Sequence, residues 1–236
     1  MALAKRDEER VPQAHVRLAE ADVDLELGAA AQAGRDLERA EVEIDVRFRE
    51  SDVGLRDSLF VALRERHGPF IYTERGESID ELVAALLAGR SIALGESCTG
   101  GLLAARLTNL AGASAYFSGG VVAYSDRAKT DLLGVPAELI ATRGAVSPEV
   151  ARAMARGAIE RFDAALGVGV TGIAGPGGGT EEKPVGYVCI CVADADGNEL
   201  ARDPKLPGGR DDVRDRSASV AMHMIRRLLI GEDLPL

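Results

Sequence analysis

The chain has 236 residues, 28 of them Lys or Arg and 38 Asp or Glu, for a formal net charge of −10. A content of 46% hydrophobic and 28% charged residues excludes wholesale disorder, and the acidic balance argues against gripping nucleic-acid phosphates as the main task. No apolar run reaches the roughly eighteen residues of a membrane span, and the opening Met1 to Glu8 lacks a secretory core, so the chain reads as cytoplasmic.

Residues 1–76 read as a small α+β domain with a frayed start, and 77–236 as a larger α/β domain. In the first, His15-Val16-Arg17-Leu18 and the stretch from Ala19 to Ala31 suggest a strand and a helix. Glu41 to Arg49 alternates polar and apolar, as a strand with one buried face does. Asp52 then caps an expected helix with apolar positions Val53 to Leu63, stopped by Gly68-Pro69, and Phe70-Ile71-Tyr72 makes a short strand. Ser78 and Glu81 form a capping-box pattern for a helix from Ile79 to Leu87.

Strands and helices alternate from there. Ser91 to Leu94 reads as a buried strand, Gly100 to Leu110 as a helix, and Gly120 to Tyr124 as a strand leading into a helix through Leu133. Ser147-Pro148-Glu149 opens a helix to Arg161. Strands are expected at 164–170, 186–193 and 199–206, and a last helix at about 212–229, capped by Asp211 or Asp212. This alternation predicts a buried sheet covered by helices.

Gly95-Glu96-Ser97-Cys98-Thr99-Gly100-Gly101 links a strand to a helix, where side chains reach the carboxyl edge of the sheet. Ser97 there is either a nucleophile, with the following amides as an oxyanion or phosphate site, or simply a helix cap. Cys98 competes as nucleophile but is expected to turn toward the core, away from Ser97. The three histidines (His15, His67, His223) lie far from every glycine-rich motif and from one another, so no Ser-His-acid triad and no metal site is expected. The basic residues are 24 Arg against four Lys, which draws attention to Lys129 and Lys183 as positions needing an amine that can lose its proton. Tyr124 and Lys129 come after a second strand and can face the same edge as Ser97. The alternative puts Lys129 in solvent and Tyr124 in the core.

Thr171 ends a strand before the glycine-rich loop Gly172 to Gly186, whose Lys183-Pro184 is not a phosphate-loop ending. The G-x-G-x-x-G match at Gly167 to Gly172 lies inside a strand and is set aside. Asp194-Ala195-Asp196-Gly197-Asn198 reads as a hairpin turn rather than a calcium loop, and Cys189 and Cys191 as core residues on one strand face. Arg210, before the final helix, is either a phosphate or carboxylate clamp or a surface residue.

Together, Gly95 to Gly101, Tyr116 to Ser125 with Lys129, Gly144 to Ser147, Thr171 to Pro176, Glu181 to Gly186 and Gly209-Arg210 resemble the CinA C-terminal domain family in order and spacing. The resemblance spans roughly residues 78–230. That family contains nicotinamide-nucleotide amidohydrolases (nicotinamide mononucleotide deamidases, PncC type). It implies a three-layer α/β/α domain and a serine–lysine mechanism, with Ser97 as nucleophile and Lys129 as base. Tyr124 and Thr171 would assist proton transfer or position the amide, Arg210 and Gly172 would bind substrate, and the backbone at Gly100 and Gly101 would hold the oxyanion. It also implies a small nucleotide substrate, no cofactor and a dimer or larger homo-oligomer. Gly95 stands where the family usually has Ala, which would loosen the turn. The first 76 residues resemble, more faintly, the KH-type middle domain of full-length CinA. The larger amino-terminal domain of full-length CinA is not seen, so its ADP-ribose hydrolysis is not carried over. The competing expectations are a nucleotide-binding or scaffold protein without deamidase activity, and an amidase or pyrophosphatase acting on a related nucleotide.

Overall fold

The computed structural model describes residues 71–231 throughout, preceded by segments 13–19, 31–36 and 41–47 and by residues 58 and 60–65. The chain divides after Glu77 into two units. In the first, β1 (Gln13–Ala19), β2 (Ala31–Asp36), β3 (Glu41–Arg47) and β4 (Ile71–Thr73) form an antiparallel sheet in the order β2-β3-β1-β4. The alternating run at Glu41 is β3, and its Ile44 lies opposite Val16 of β1 and Ala33 of β2. The helix expected after Asp52 is described only at residues 58 and 60–65. Its start, its Gly68-Pro69 stop and the helix expected between residues 19 and 31 lie outside the described residues.

The second unit begins with α1 (Ile79–Leu86), where the Ser78 hydroxyl accepts from the Glu81 amide (3.2 Å) and the Glu81 carboxylate accepts from the Ser78 amide (2.7 Å). The capping box forms because both partners are local. There follow β5 (Ile92–Glu96), α2 (Leu102–Thr108), β6 (Phe117–Val122), α3 (Asp126–Leu133), α4 (Ala137–Arg143) and α5 (Pro148–Phe162). Then come β7 (Leu166–Gly172), β8 (Val188–Asp194), β9 (Glu199–Arg202) and α6 (Arg210–Ile230). The sheet order is β6-β5-β7-β8-β9, with β6, β5 and β7 parallel and β8 and β9 antiparallel.

Several elements depart from expectation. β6 starts at Phe117, opposite Ile92, and stops at Val122, which leaves Tyr124 beyond the strand end. β9 stops at Arg202, two residues before Pro204, which has no N–H to give a ladder. The turn that α4 occupies, opened by Pro136, carries no strong helical signal in so short a segment. The Asp194–Asn198 segment is a turn, its Asn198 amide donating to the Asp194 carboxylate (2.8 Å).

The two faces of the sheet differ in side-chain size. Ala93, Gly95, Gly167, Gly169, Cys191 and Ala193 share one face, where α5 packs with α3 and α4 behind it. A methyl on Gly169 would overlap the Ala151 carbonyl oxygen and sit 2.7 Å from the Ala155 amide nitrogen, and one on Gly167 would lie 2.7 Å from Ile159 Cγ1. The backbone of α5 therefore lies directly on that of β7, and the G-x-G-x-x-G match records this close approach, not a nucleotide fingerprint. On the alternate positions Leu94, Val168, Val170, Ile190 and Val192 fill the other face, covered by α2 and α6, with α1 packed against those helices. Helices on both faces give the expected three layers. Gly95 lies within β5 rather than in the turn, and the room its missing methyl leaves is taken by Leu133 Cδ1, 2.7 Å from where a Cβ would stand. Gly95 thus makes room for Leu133 and does not loosen the turn.

Candidate active site

β5 ends at Glu96, and the Ser97 amide donates to the Val170 carbonyl (2.9 Å), so the turn stays stitched to β7. The next helix, α2, starts from Gly101 at φ 99°, without a capping side chain of its own. The Glu96 carboxylate supplies the cap by accepting from the amides of Gly101 (3.0 Å), Leu103 (3.2 Å) and Ala104 (2.9 Å). Glu96 is 2% exposed, so these bonds form in a dry environment and against the positive end of the helix. Neither Ser97 nor Thr99 is the cap.

Two expectations for this turn need correcting. The Gly100 amide donates to the Ser97 carbonyl (3.1 Å) and the Gly101 amide to Glu96, so both amides assigned to an oxyanion are already engaged. Neither glycine lines the cavity that Ser97 faces. Cys98 is buried, as expected, but it lines the same cavity as Ser97 instead of turning away from it. Burial pushes its thiol up to about 12, which leaves it an un-ionised wall at neutral pH. The turn is held from α6 as well, where Arg214 donates to the carbonyls of Cys98 and Thr99 (both 3.1 Å).

The second wall comes from the segment after β6. The Ser125 hydroxyl caps α3 by accepting from the Ala128 amide (3.1 Å), and the first turn carries Lys129 inward to 2% exposure. Of the described lysines only Lys129 is buried, which removes the solvated alternative. Its Nζ lies 4.0 Å from Asp126 Oδ1. Burial lowers its pKa below the usual lysine value, with the nearby Asp126 carboxylate opposing. Tyr124 is not a core residue. It is 58% exposed, and its hydroxyl accepts from Arg210 Nη2 (2.7 Å).

The third wall comes after β7. The Thr171 hydroxyl, 1% exposed, donates to the Ala145 carbonyl (2.8 Å). Lys183, the other lysine singled out, reaches back from the glycine-rich loop to donate to the carbonyls of Arg143 (2.8 Å) and Val146 (2.7 Å). It is a tether for the stretch before α5 and lies outside the cavity. Arg210, the first residue of α6, donates to the Gly175 carbonyl (2.8 Å) as well as to Tyr124, so it joins the loop to the rim. Asp212 accepts from the Gly209 amide (2.7 Å) and so supports the start of α6, which opens two residues earlier than expected.

These walls enclose a cavity of about 200 Å³ lined by Ser97, Cys98, Tyr124, Asp126, Lys129, Thr171, Gly172 and Arg210, with Ala145, Val146 and Ala174 between them. Six of the eight residues singled out from sequence, Ser97, Lys129, Tyr124, Thr171, Arg210 and Gly172, meet there, and Gly100 and Gly101 do not. Sequence reasoning missed Glu96, Asp126 and Arg214. Glu96 had a signal, an acid closing an apolar strand just before a helix whose first residues are glycines. Arg214 had one too, four residues after Arg210 and so on the same helix face. Among the described residues no cluster of three or more His, Cys, Asp or Glu is placed to hold a metal, and no helix is long and apolar enough to cross a membrane.

Comparison with known proteins agrees with this architecture. A CinA-like protein of Mycolicibacterium gilvum is 60% identical over 195 residues, covering 83% of this chain and 46% of that protein. One from Mycobacterium tuberculosis is 54% identical over 195 residues, covering 83% and 45%. The chain thus spans about half the length of the curated relatives it matches. Among solved structures, the competence/damage inducible protein CihA of Agrobacterium tumefaciens superposes with a TM-score of 0.60 at 43% identity, over 62% of this chain and 92% of that one. A CinA superfamily protein of Klebsiella pneumoniae gives 0.62 at 32% identity, over 66% and 99%. The model of the CinA C-terminal domain matches residues 76–229, and the chain belongs to that family.

Proposed function

We propose that this chain hydrolyses the carboxamide of nicotinamide mononucleotide to nicotinic acid mononucleotide and ammonia, a reaction of pyridine nucleotide salvage, through a serine–lysine pair. The observation that carries the reading is a lysine at 2% exposure lining the same cavity as Ser97. Desolvation favours the neutral amine, which is the form a general base needs. Lys129 takes the hydroxyl proton as Ser97 Oγ bonds to the amide carbon. The tetrahedral adduct collapses as the nitrogen leaves, protonated by Lys129, and water then cleaves the acyl-serine to the acid. With the amides of residues 97, 100 and 101 committed elsewhere, charge on the adduct is met by the ammonium that Lys129 becomes, while Arg210, the other cationic side chain lining the cavity, is left for the phosphate. Tyr124 and Thr171 position the amide, the latter from a hydroxyl fixed on Ala145.

The test is ammonia release from nicotinamide mononucleotide by the purified chain. Ser97→Ala and Lys129→Ala should each lower turnover by about 10³-fold or more, as members of one catalytic unit do. Near-normal turnover in Lys129→Ala would remove the base. A folded wild type that binds the nucleotide and releases no ammonia would favour the binding or scaffold reading. The KH-type reading of the first unit stands outside the family match, and no activity is drawn from it.

A further inference from the structure

Two charged side chains of opposite sign stand at the rim of the cavity, Asp126 with a side chain 64% exposed and Arg210, also exposed. Asp126 is the one anionic side chain among the lining residues. The other titratable groups facing Lys129 across the cavity are Cys98 from the turn after β5, Tyr124 from the segment before α3, and Arg210 from α6. Cys98 is an un-ionised thiol at neutral pH, and Tyr124 and Arg210 are bonded to each other. The counter-ion of Asp126 is Lys129, 4.0 Å away.

A base must be without its proton when it acts. In that state the pair is broken, and Asp126 remains as an unbalanced carboxylate facing the space where substrate sits. A cation delivered by the substrate restores the balance; a neutral group of the same shape does not. We propose that Asp126 is the residue that selects a positively charged ring, pairing with the quaternary pyridinium of the nucleotide while Arg210 meets the phosphate. The inference rests on the deamidase reading and narrows it to a substrate class, zwitterionic N-substituted pyridinium carboxamides. It also links binding to the base. The ring charge and the Lys129 proton compete for one carboxylate, so a cationic ring binds the deprotonated enzyme more tightly and helps expel that proton. A first-turn Asp also favours the positive end of its own helix, but that role is indifferent to the charge on a ligand.

The experiment compares oxidised nicotinamide mononucleotide with its dihydropyridine form, which keeps the carboxamide and phosphate but carries no ring charge. Dissociation constants are measured calorimetrically at pH 7.5 and 9 for Ser97→Ala, which cannot turn over, and for Ser97→Ala/Asp126→Asn. Ammonia release by the wild type is followed in parallel. Ser97→Ala should bind the oxidised form about tenfold or more tightly than the reduced form, a preference that grows with pH. Adding Asp126→Asn should weaken the oxidised form by about tenfold and leave the reduced form within about twofold. An effect through folding moves both ligands together, and an effect through the Lys129 proton, which loses its counter-ion in Asp126→Asn, would strengthen the oxidised form instead of weakening it, so an unchanged oxidised-to-reduced ratio overturns the role of Asp126 even if both bind less well. Wild type that releases ammonia while the ratio stays fixed overturns only this inference. Wild type that neither releases ammonia nor binds either form overturns the deamidase reading beneath it.

Discussion

Glu96 offers the sharpest check on how the nucleophile turn is held. Replacing it by Ala removes the acceptor for three amides at the start of α2. Gly101 and Ala104 are half-buried and can find water, but Leu103 is fully buried. An orphaned buried donor costs about 1–3 kcal/mol, so the Leu103 amide, with the vacated side-chain volume, should cost about 3 kcal/mol. Glu96→Gln keeps one oxygen but turns an NH₂ toward a donor, and should cost about 2 kcal/mol. Urea unfolding of the full chain reads both, as a fall in the midpoint at nearly constant slope. Since Ser97 adjoins this residue, turnover should fall in the same order, Glu96→Ala below Glu96→Gln below wild type. A Glu96→Ala chain within about 1 kcal/mol of wild type would refute the claim that this carboxylate, and not the turn itself, starts the helix.

Two further outcomes rest on burial and on packing. Burial lowers the Lys129 pKa in the folded chain below its unfolded value, so the unfolded state binds more protons and this residue's contribution makes stability rise with pH through that interval. Lys129→Met should therefore raise the thermal midpoint at pH 7 while abolishing turnover, and a lowered midpoint would contradict the desolvation argument. Gly169→Ala drives a methyl into backbone atoms of α5 that no rotamer change can move, and should destabilise by about 3 kcal/mol in the same urea assay, whereas a neutral result would mean that α5 does not lie so close to β7.

Local chemistry made much of the fold legible. Ser78 with Glu81, and Ser147 with Pro148, place their helix starts because cap and helix are neighbours in the chain. The meeting of Ser97 with Lys129 was legible for a topological reason: β5 and β6 are adjacent and parallel, so the segments that leave their carboxyl ends emerge on one edge. The features that escaped depend on partners distant in sequence. That the Gly100 and Gly101 amides were taken could not be told without knowing where the Glu96 carboxylate points. Cys98 was misplaced because its surroundings come from Gly172 and Lys129, on other elements. The role of Lys183 was invisible for the same reason, since its acceptors lie 37 and 40 positions earlier.

The cavity's walls come from positions as far apart as Ser97 and Arg210, and the last of them opens α6. During synthesis, the loop at Gly175 and the ring of Tyr124 have no common anchor until that helix has left the ribosome and docked. A nascent or truncated chain ending before it could build most of the sheet yet would lack one side of the pocket. Docking of α6 is, in this fold, a checkpoint that precedes any chemistry.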